Sequence, residues 1–305
     1  MTLGRILVRM NHFREYHPIV NFMYFTAILI ISIFMYHPAF IVISFVCSLF
    51  YLISLKGVRK TLKSIRYVMI IAILIGITNP LFNHQGVTIL FYNRIGNPVT
   101  KEAIIFGIFM ALLFMAVIQW FQCYNEVITS DKFLYLFGRI MPSFSLVLSM
   151  TIRYVDRFSK RFRELKKYRD NQLKCGKRRY FPRIKNFAGI LSAMIFWSLE
   201  NSIETSDSMK DRGYGLRGRT SFSLYKFTSR DMGPFVYMLI SIVIIVWGAM
   251  NEKLEYRYYP SFSDDLFGVF MCITYVVFYI LCIIPLIIEL KFRIKFKNKP
   301  EDKNK

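Results

Sequence analysis

The chain has 305 residues, is 54% hydrophobic and 17% aromatic, and carries a formal net charge of +22 with a mean hydropathy of +0.37. Its charges are segregated into mostly basic clusters between long uncharged runs, which excludes an ordinary soluble domain and points to an anionic surface or partner. Five scattered cysteines form no C-x-x-C pair and four histidines complete no metal spacing, so neither a disulfide framework nor a metal centre is expected.

The N-terminus is basic, but no small-residue cleavage site follows the first apolar run, so that run is expected to be retained. Ile19–Met35 is uncharged and about long enough to span a bilayer as a helix. Ala39–Leu55 is a second such run, Tyr67–Phe82 a somewhat short third, Ala103–Phe121 a fourth, Met232–Met250 a fifth and Leu266–Leu290 a sixth. Backbone in lipid must satisfy its own polar groups, so these runs predict helices. The fold class expected is an all-α integral membrane protein with about six transmembrane helices.

The connecting segments give orientation. Arg5, Arg9 and Arg14 precede the first run, while Lys56, Arg59, Lys60, Lys63 and Arg66 crowd the segment between the second and third. Lys291, Arg293, Lys295, Lys297 and Lys299 follow the last. The alternate loops are poor in basic residues: Tyr36–Pro38 has none, and Asn251–Asp265 sets Lys253 and Arg257 against four carboxylates. The positive-inside rule therefore predicts a multi-pass protein of the cell membrane with both termini cytoplasmic. Much of the net charge is then topology, and no nucleic-acid partner is required.

Three regions follow: residues 1–121 with four spans, 122–231 on the cytoplasmic side, and 232–305 with two spans and a basic tail. The middle region, about 110 residues, is too long for a passive loop. It holds 22 Lys and Arg against 10 Asp and Glu. Pro142 opens a predicted helix on which Val147, Met150, Tyr154, Phe158, Phe162, Leu165 and Tyr168 form one apolar stripe, with basic residues on the other faces. This helix is expected to stop near Gly176. Pro182 opens a second helix carrying Phe187, Leu191, Met194 and Trp197. Glu200, Glu204, Asp207 and Asp211 then form an acidic stripe, either a solvated face or a partner for the basic helix before it.

The second helix runs into DRGYGLRGRTSF, in which Gly213, Gly215 and Gly218 spell G-x-G-x-x-G. A phosphate loop needs a strand before it and a helix after it, so that a helix N-terminus faces the phosphates. Here a helix precedes the glycines, and no nucleotide or other cofactor is expected on this chain. Gly213 reads instead as a left-handed C-cap, with Arg212 in the last turn.

Met209-Lys210-Asp211-Arg212-Gly213-Tyr214-Gly215, followed by Arg219-Thr220, resembles the second signature of the transmembrane T component of energy-coupling-factor transporters, the cobalt-transporter Q-type permease family. Ser130–Val155 is similar to the family's approach to its first coupling helix. His17-Pro18 and the glycine-containing hairpin expected around Asn79–Gly86 also fit. The resemblance implies a non-catalytic scaffold whose two cytoplasmic coupling helices dock onto two ATP-binding-cassette ATPase subunits, where the ATP is bound. It also implies a separate substrate-binding membrane subunit for vitamin or metal-ion uptake. It makes Arg212 the docking arginine, with Asp211 beside it, Gly213 as terminator, and Met209, Gly215, Arg219 and Thr220 as support. The first motif departs from the family pattern. Gln172 and Gly176 match, but Cys175 stands in the arginine's place, leaving Lys174 or Arg169 as substitutes. The alternative class is a polytopic membrane enzyme acting on a lipid-linked substrate. That class calls for ionisable residues within the spans, and the predicted spans hold no Asp, Glu, Lys or Arg before Glu289.

Overall fold

The computed structural model describes residues 12–83, 85–92, 98–173, 180–214, 216, 225–250, 256, 258–259 and 268–297. After a short 3-10 turn at His12–Glu15, helices α1 (Pro18–Phe34), α2 (Pro38–Lys56) and α3 (Val58–Phe82) follow one another closely. A two-stranded antiparallel hairpin, β1 (Ile89–Tyr92) and β2 (Pro98–Thr100), leads into α4 (Lys101–Val127). Next come α5 (Ser130–Ile140), α6 (Pro142–Leu173) and α7 (Tyr180–Asp211), then α8 (Ser229–Met250) and α9 (Val269–Lys297).

Local sequence explains the boundaries. His17-Pro18 and His37-Pro38 are the same device used twice. Each proline takes the first helical position, and each histidine Nδ1 accepts the N–H two residues on, at 3.3 Å. Thr100 caps α4 by accepting from the Ala103 N–H. Gly57, at φ +81°, ends α2 and lets α3 start at once.

Among the described residues, five helices are long and apolar enough to cross a membrane: α2, α3, α4, α8 and the Val269–Lys291 part of α9. The chain is a membrane-embedded, all-α protein. The first expected span differs. α1 has 17 residues, about 25 Å of helix against a hydrocarbon layer of about 30 Å. The segment after α2 differs too. Arg59, Lys60, Lys63 and Arg66 lie in the first turns of α3, so the third span is the apolar part of a longer helix. Neither α5 nor the β hairpin was legible in the apolar pattern.

The chain packs as two compact units: one formed by the chain up to Phe133 and from Tyr225 onward, the other by Leu134–Leu224. In the first, α1, α2, α4, α8 and α9 surround an aromatic core that includes Phe25, Phe40, Tyr51, Trp120 and Phe278. Several of its buried polar groups are paired: the Trp120 indole N–H donates to Ser44 Oγ at 3.0 Å, Ser44 meets Ser32 at 2.9 Å, and Ser48 donates to Gln119 Oε1 at 2.8 Å, while the Tyr51 hydroxyl and Gln119 Nε2 have no hydrogen-bond partner among the described residues. Of α3, only 11% is buried, against 39% of α2, which puts α3 at the edge of the bundle.

The second unit is an antiparallel helical hairpin. Tyr154 and Thr205 share a hydroxyl hydrogen bond at 2.7 Å. Phe158 meets Trp197 edge-on at 5.3 Å, and Phe162 meets Phe187 at 6.5 Å. The middle of the α6 stripe packs as its spacing predicts, but its ends, Val147 and Tyr168, are exposed.

Candidate functional site

The end of α7 is built by a complete Schellman motif. The Gly213 N–H donates to the Lys210 carbonyl at 2.9 Å, and the Tyr214 N–H to the Met209 carbonyl at 3.0 Å. Gly213 sits at φ +72°, a conformation that favours glycine, and a Cβ there would also stand 3.1 Å from the Leu216 side chain. The reason is geometric: a residue in the left-handed conformation folds the following N–H groups back onto carbonyls left over at the helix end. Met209 and Tyr214, the flanking positions of this motif, line a cleft of about 340 Å³ together with Met150, Tyr154, Ser202, Thr205, Ser206 and Lys210.

Arg212 is the residue at which the helix stops, and it is exposed. The carbonyl end of the helix favours a cation there. Asp211 is exposed beside it. Among the described residues no carboxylate lies within ion-pair distance of Arg212; the nearby pair joins Lys210 to Asp207 at 3.4 Å. The guanidinium is thus presented at an exposed tip, without an ion pair among the described residues.

Of the residues expected to act here, Met209, Asp211, Arg212 and Gly213 come together at this tip. Gly215, Arg219 and Thr220 lie outside the described residues, as do Cys175 and Gly176 of the first motif. Gln172 falls in the last turn of α6. Because the hairpin is antiparallel, the end of α6 and the end of α7 lie at opposite ends of it. Arg169 packs against the start of α7, and from Gly189 there to Arg212 is about 35 Å of helix.

Lys174, one substitute for the missing arginine, lies outside the described residues, and the other, Arg169, is engaged within the hairpin. Its guanidinium lies against Gly189 and donates to the Asn186 carbonyl at 3.3 Å, so it is spent in tying α6 to α7. Of the two readings of the acidic stripe, the solvated face is the one the described residues support. Glu200, Glu204, Asp207 and Asp211 are exposed, and among the described residues the ion pairs of this unit are Arg161 with Glu164 and Lys210 with Asp207, each within one helix. The α6–α7 contact is aromatic and hydroxylic instead. The cleft beside the tip was missed; its signal was Met150 and Tyr154 on the stripe of α6 and Thr205 and Met209 at a four-residue step on α7.

The described residues hold no cluster of three or more His, Cys, Asp or Glu able to take a metal ion. Neither a scan against protein-family models nor a search of curated proteins finds a match.

Proposed function

We propose that the chain is the transmembrane scaffold of an ATP-driven importer of the energy-coupling-factor type. The observation that carries this reading is Arg212: an exposed arginine at the tip of a 32-residue helix, with the chain turned away behind it by Gly213. A planar guanidinium so presented can fork onto carboxylates or carbonyls in a partner's groove. The resemblance of the surrounding sequence makes that partner an ATP-binding-cassette ATPase subunit.

The antiparallel hairpin supports a pair of such subunits, because Gln172 and Arg212, each at an expected docking end, lie toward opposite ends of it. In this reading α6 and α7 are the coupling helices, the hairpin unit is cytoplasmic, and both termini lie on the cytoplasmic side of the cell membrane. ATP binding and hydrolysis belong to the partners, and closure of the ATPases moves the hairpin. A separate membrane subunit carries the vitamin or metal-ion cargo. The first motif, with Cys175 for arginine, leaves more of the docking to Arg212.

Co-expression with a candidate ATPase pair, pull-down, and substrate uptake at equal membrane levels test this. Arg212→Ala is expected to lose uptake and most ATPase binding while inserting normally. Truncating one partner of a desolvated charged pair costs roughly 2–5 kcal/mol, far more than a rim charge. Arg212→Lys recovers only part, since an ammonium cannot fork. Full uptake by Arg212→Ala removes the reading. Topology is checked by cysteines introduced at Lys60, Lys210 and Ser261. A membrane-impermeant thiol reagent on intact cells should reach the last alone, and labelling at Lys210 would place the hairpin on the wrong side.

A further inference from the structure

The chain passes between its two units twice, at Phe133–Leu134 and at Leu224–Tyr225. Within the membrane unit, the described residues that precede or follow these passages in sequence, Lys132 and residues 225–231, include a group of buried charges. On the outgoing side Lys132, only 3% exposed, donates to the Arg14 carbonyl. With the Asn21 amide turned to satisfy its neighbours, Lys132 also donates to Asn21 Oδ1 at 2.6 Å.

On the returning side Asp231, 2% exposed, accepts from the Thr228 N–H at 2.9 Å and the Thr228 hydroxyl at 2.7 Å through one oxygen. Its other oxygen accepts the His17 N–H at 3.3 Å. Next to it, Arg230 lies over the Tyr16 ring at 4.7 Å and donates to the Glu15 carbonyl.

The simplest account of Asp231 is a capping box at the start of α8, and the Thr228 bonds are that. A cap accounts for one oxygen only. The second reaches across 214 residues of sequence to His17, the residue that caps α1. One carboxylate therefore closes the starts of two helices. Lys132 and Arg230 hold the same short segment, residues 14 to 21, from the other passage and from the returning one. Burying these charges is costly, and an apolar core would pack as well without them. What the charges supply that apolar residues would not is a fixed geometry linking the two passages to one element.

We infer that Lys132, Asp231 and the segment from Arg14 to Asn21 form a mechanical joint, through which movement of the hairpin unit is delivered to α1 and into the membrane core. The inference rests on the proposed function for the source of the movement, and on the hydrogen bonds alone for the tie. α1 is suited to receive it, being the shortest apolar helix. Its Tyr24, Phe25 and Ile28 sit in the aromatic core, and the Tyr24 hydroxyl donates to the Cys282 carbonyl of α9 at 3.2 Å.

The test uses the full chain in lipid nanodiscs and in cells. Asp231→Asn and Lys132→Met remove the charges, and Thr228→Val, at an exposed position, removes one donor without a buried hole. Hydrogen exchange should quicken in the first turns of α1 and α8 in each variant and stay unchanged in α2, α3 and α4. In cells whose wild type imports substrate, the variants should keep their ATPase partners, yet uptake per ATP hydrolysed should fall about tenfold. A merely structural role would lower protein amount and leave that ratio alone. Unchanged exchange at α1, or an unchanged ratio in all three variants, overturns the joint. If the wild type binds no ATPase pair, the proposed function fails by itself, and the exchange result still decides whether the tie exists.

Discussion

The two units of this chain spend their apolar residues in opposite ways. The membrane unit buries a continuous aromatic core in which Trp120, Tyr51, Phe25, Phe40 and Phe278 are all but inaccessible. In the hairpin unit, Ile190 and Met194 are the buried apolar side chains among the described residues. Along α7, Phe187, Leu191, Ile195, Leu199 and Ile203 recur at every fourth position and are half or more exposed. The first unit is held by bulk packing, and lipid accounts for its outer apolar surface. Among the described residues, α6 and α7 are joined by a thin seam of specific contacts that includes a hydroxyl pair, two aromatic pairs and an arginine laid against a glycine. Such a seam fixes register with little stabilisation, so the hairpin belongs to the low end of the local stability range.

The largest effects should separate Trp120 from Trp197. Trp120→Ala removes a fully buried side chain and the indole bond to Ser44, a loss of roughly 3–5 kcal/mol, and should leave little folded protein. Trp197→Ala removes one side of the Phe158 pair from a half-buried position, about 2 kcal/mol. Expression and membrane level should survive, while exchange of α6 and α7 amides quickens roughly thirtyfold and that of α2 and α4 stays fixed. Equal loss of folded protein in the two variants would break the contrast.

Gly213 sharpens the contrast at the tip. A valine or alanine there must adopt a left-handed backbone, at about 1–2 kcal/mol, and must also displace Leu216. Gly213→Ala should weaken ATPase pull-down several-fold while leaving the seam, and so the exchange of the middle of α6, untouched. Gly213→Asn should recover much of the loss, since asparagine tolerates this conformation. Identical behaviour of the two variants would show that the Schellman turn does not position Arg212.

What was legible in the sequence follows the same division. Lipid demands long uncharged helices, so the apolar runs could be found without knowing their neighbours. Their ends could not. Arg59 to Arg66 look like a loop by charge, but nothing in them breaks a helix, and the backbone simply continues. The stop at Gly213 was legible because only glycine readily supplies the left-handed turn a helix end requires. The direction of Arg169 was not, because it depends on Gly189, twenty residues on, having no side chain to obstruct it. The acidic stripe was legible as a stripe and not as an interface. Spacing fixes which residues share a face, but what that face meets is set by packing elsewhere.

The smallest effect concerns pH and again divides the units. Burial, and after it the charge of Arg14, lowers Lys132 from its ordinary value of 10.5 to about 8. Between these two values the unfolded chain binds more protons at this site than the folded one. Stability from Lys132 therefore rises with pH across that window, and the cost of burying the charged form is fully present below it. Hydrogen bonds to the Arg14 carbonyl and Asn21 favour the charged form and offset part of the cost, so the gain is on the order of 1 kcal/mol. Thermal unfolding of the purified protein from pH 7.5 to pH 10 checks it. Tyrosines titrate at the upper end, so the quantity to read is the difference between wild type and Lys132→Met, in which they cancel. That difference should move in favour of the wild type as pH rises, and exchange in the hairpin unit should not follow it. A flat difference would mean that Lys132 keeps its ordinary pKa, and that the buried charge is far better compensated than its two carbonyl contacts allow.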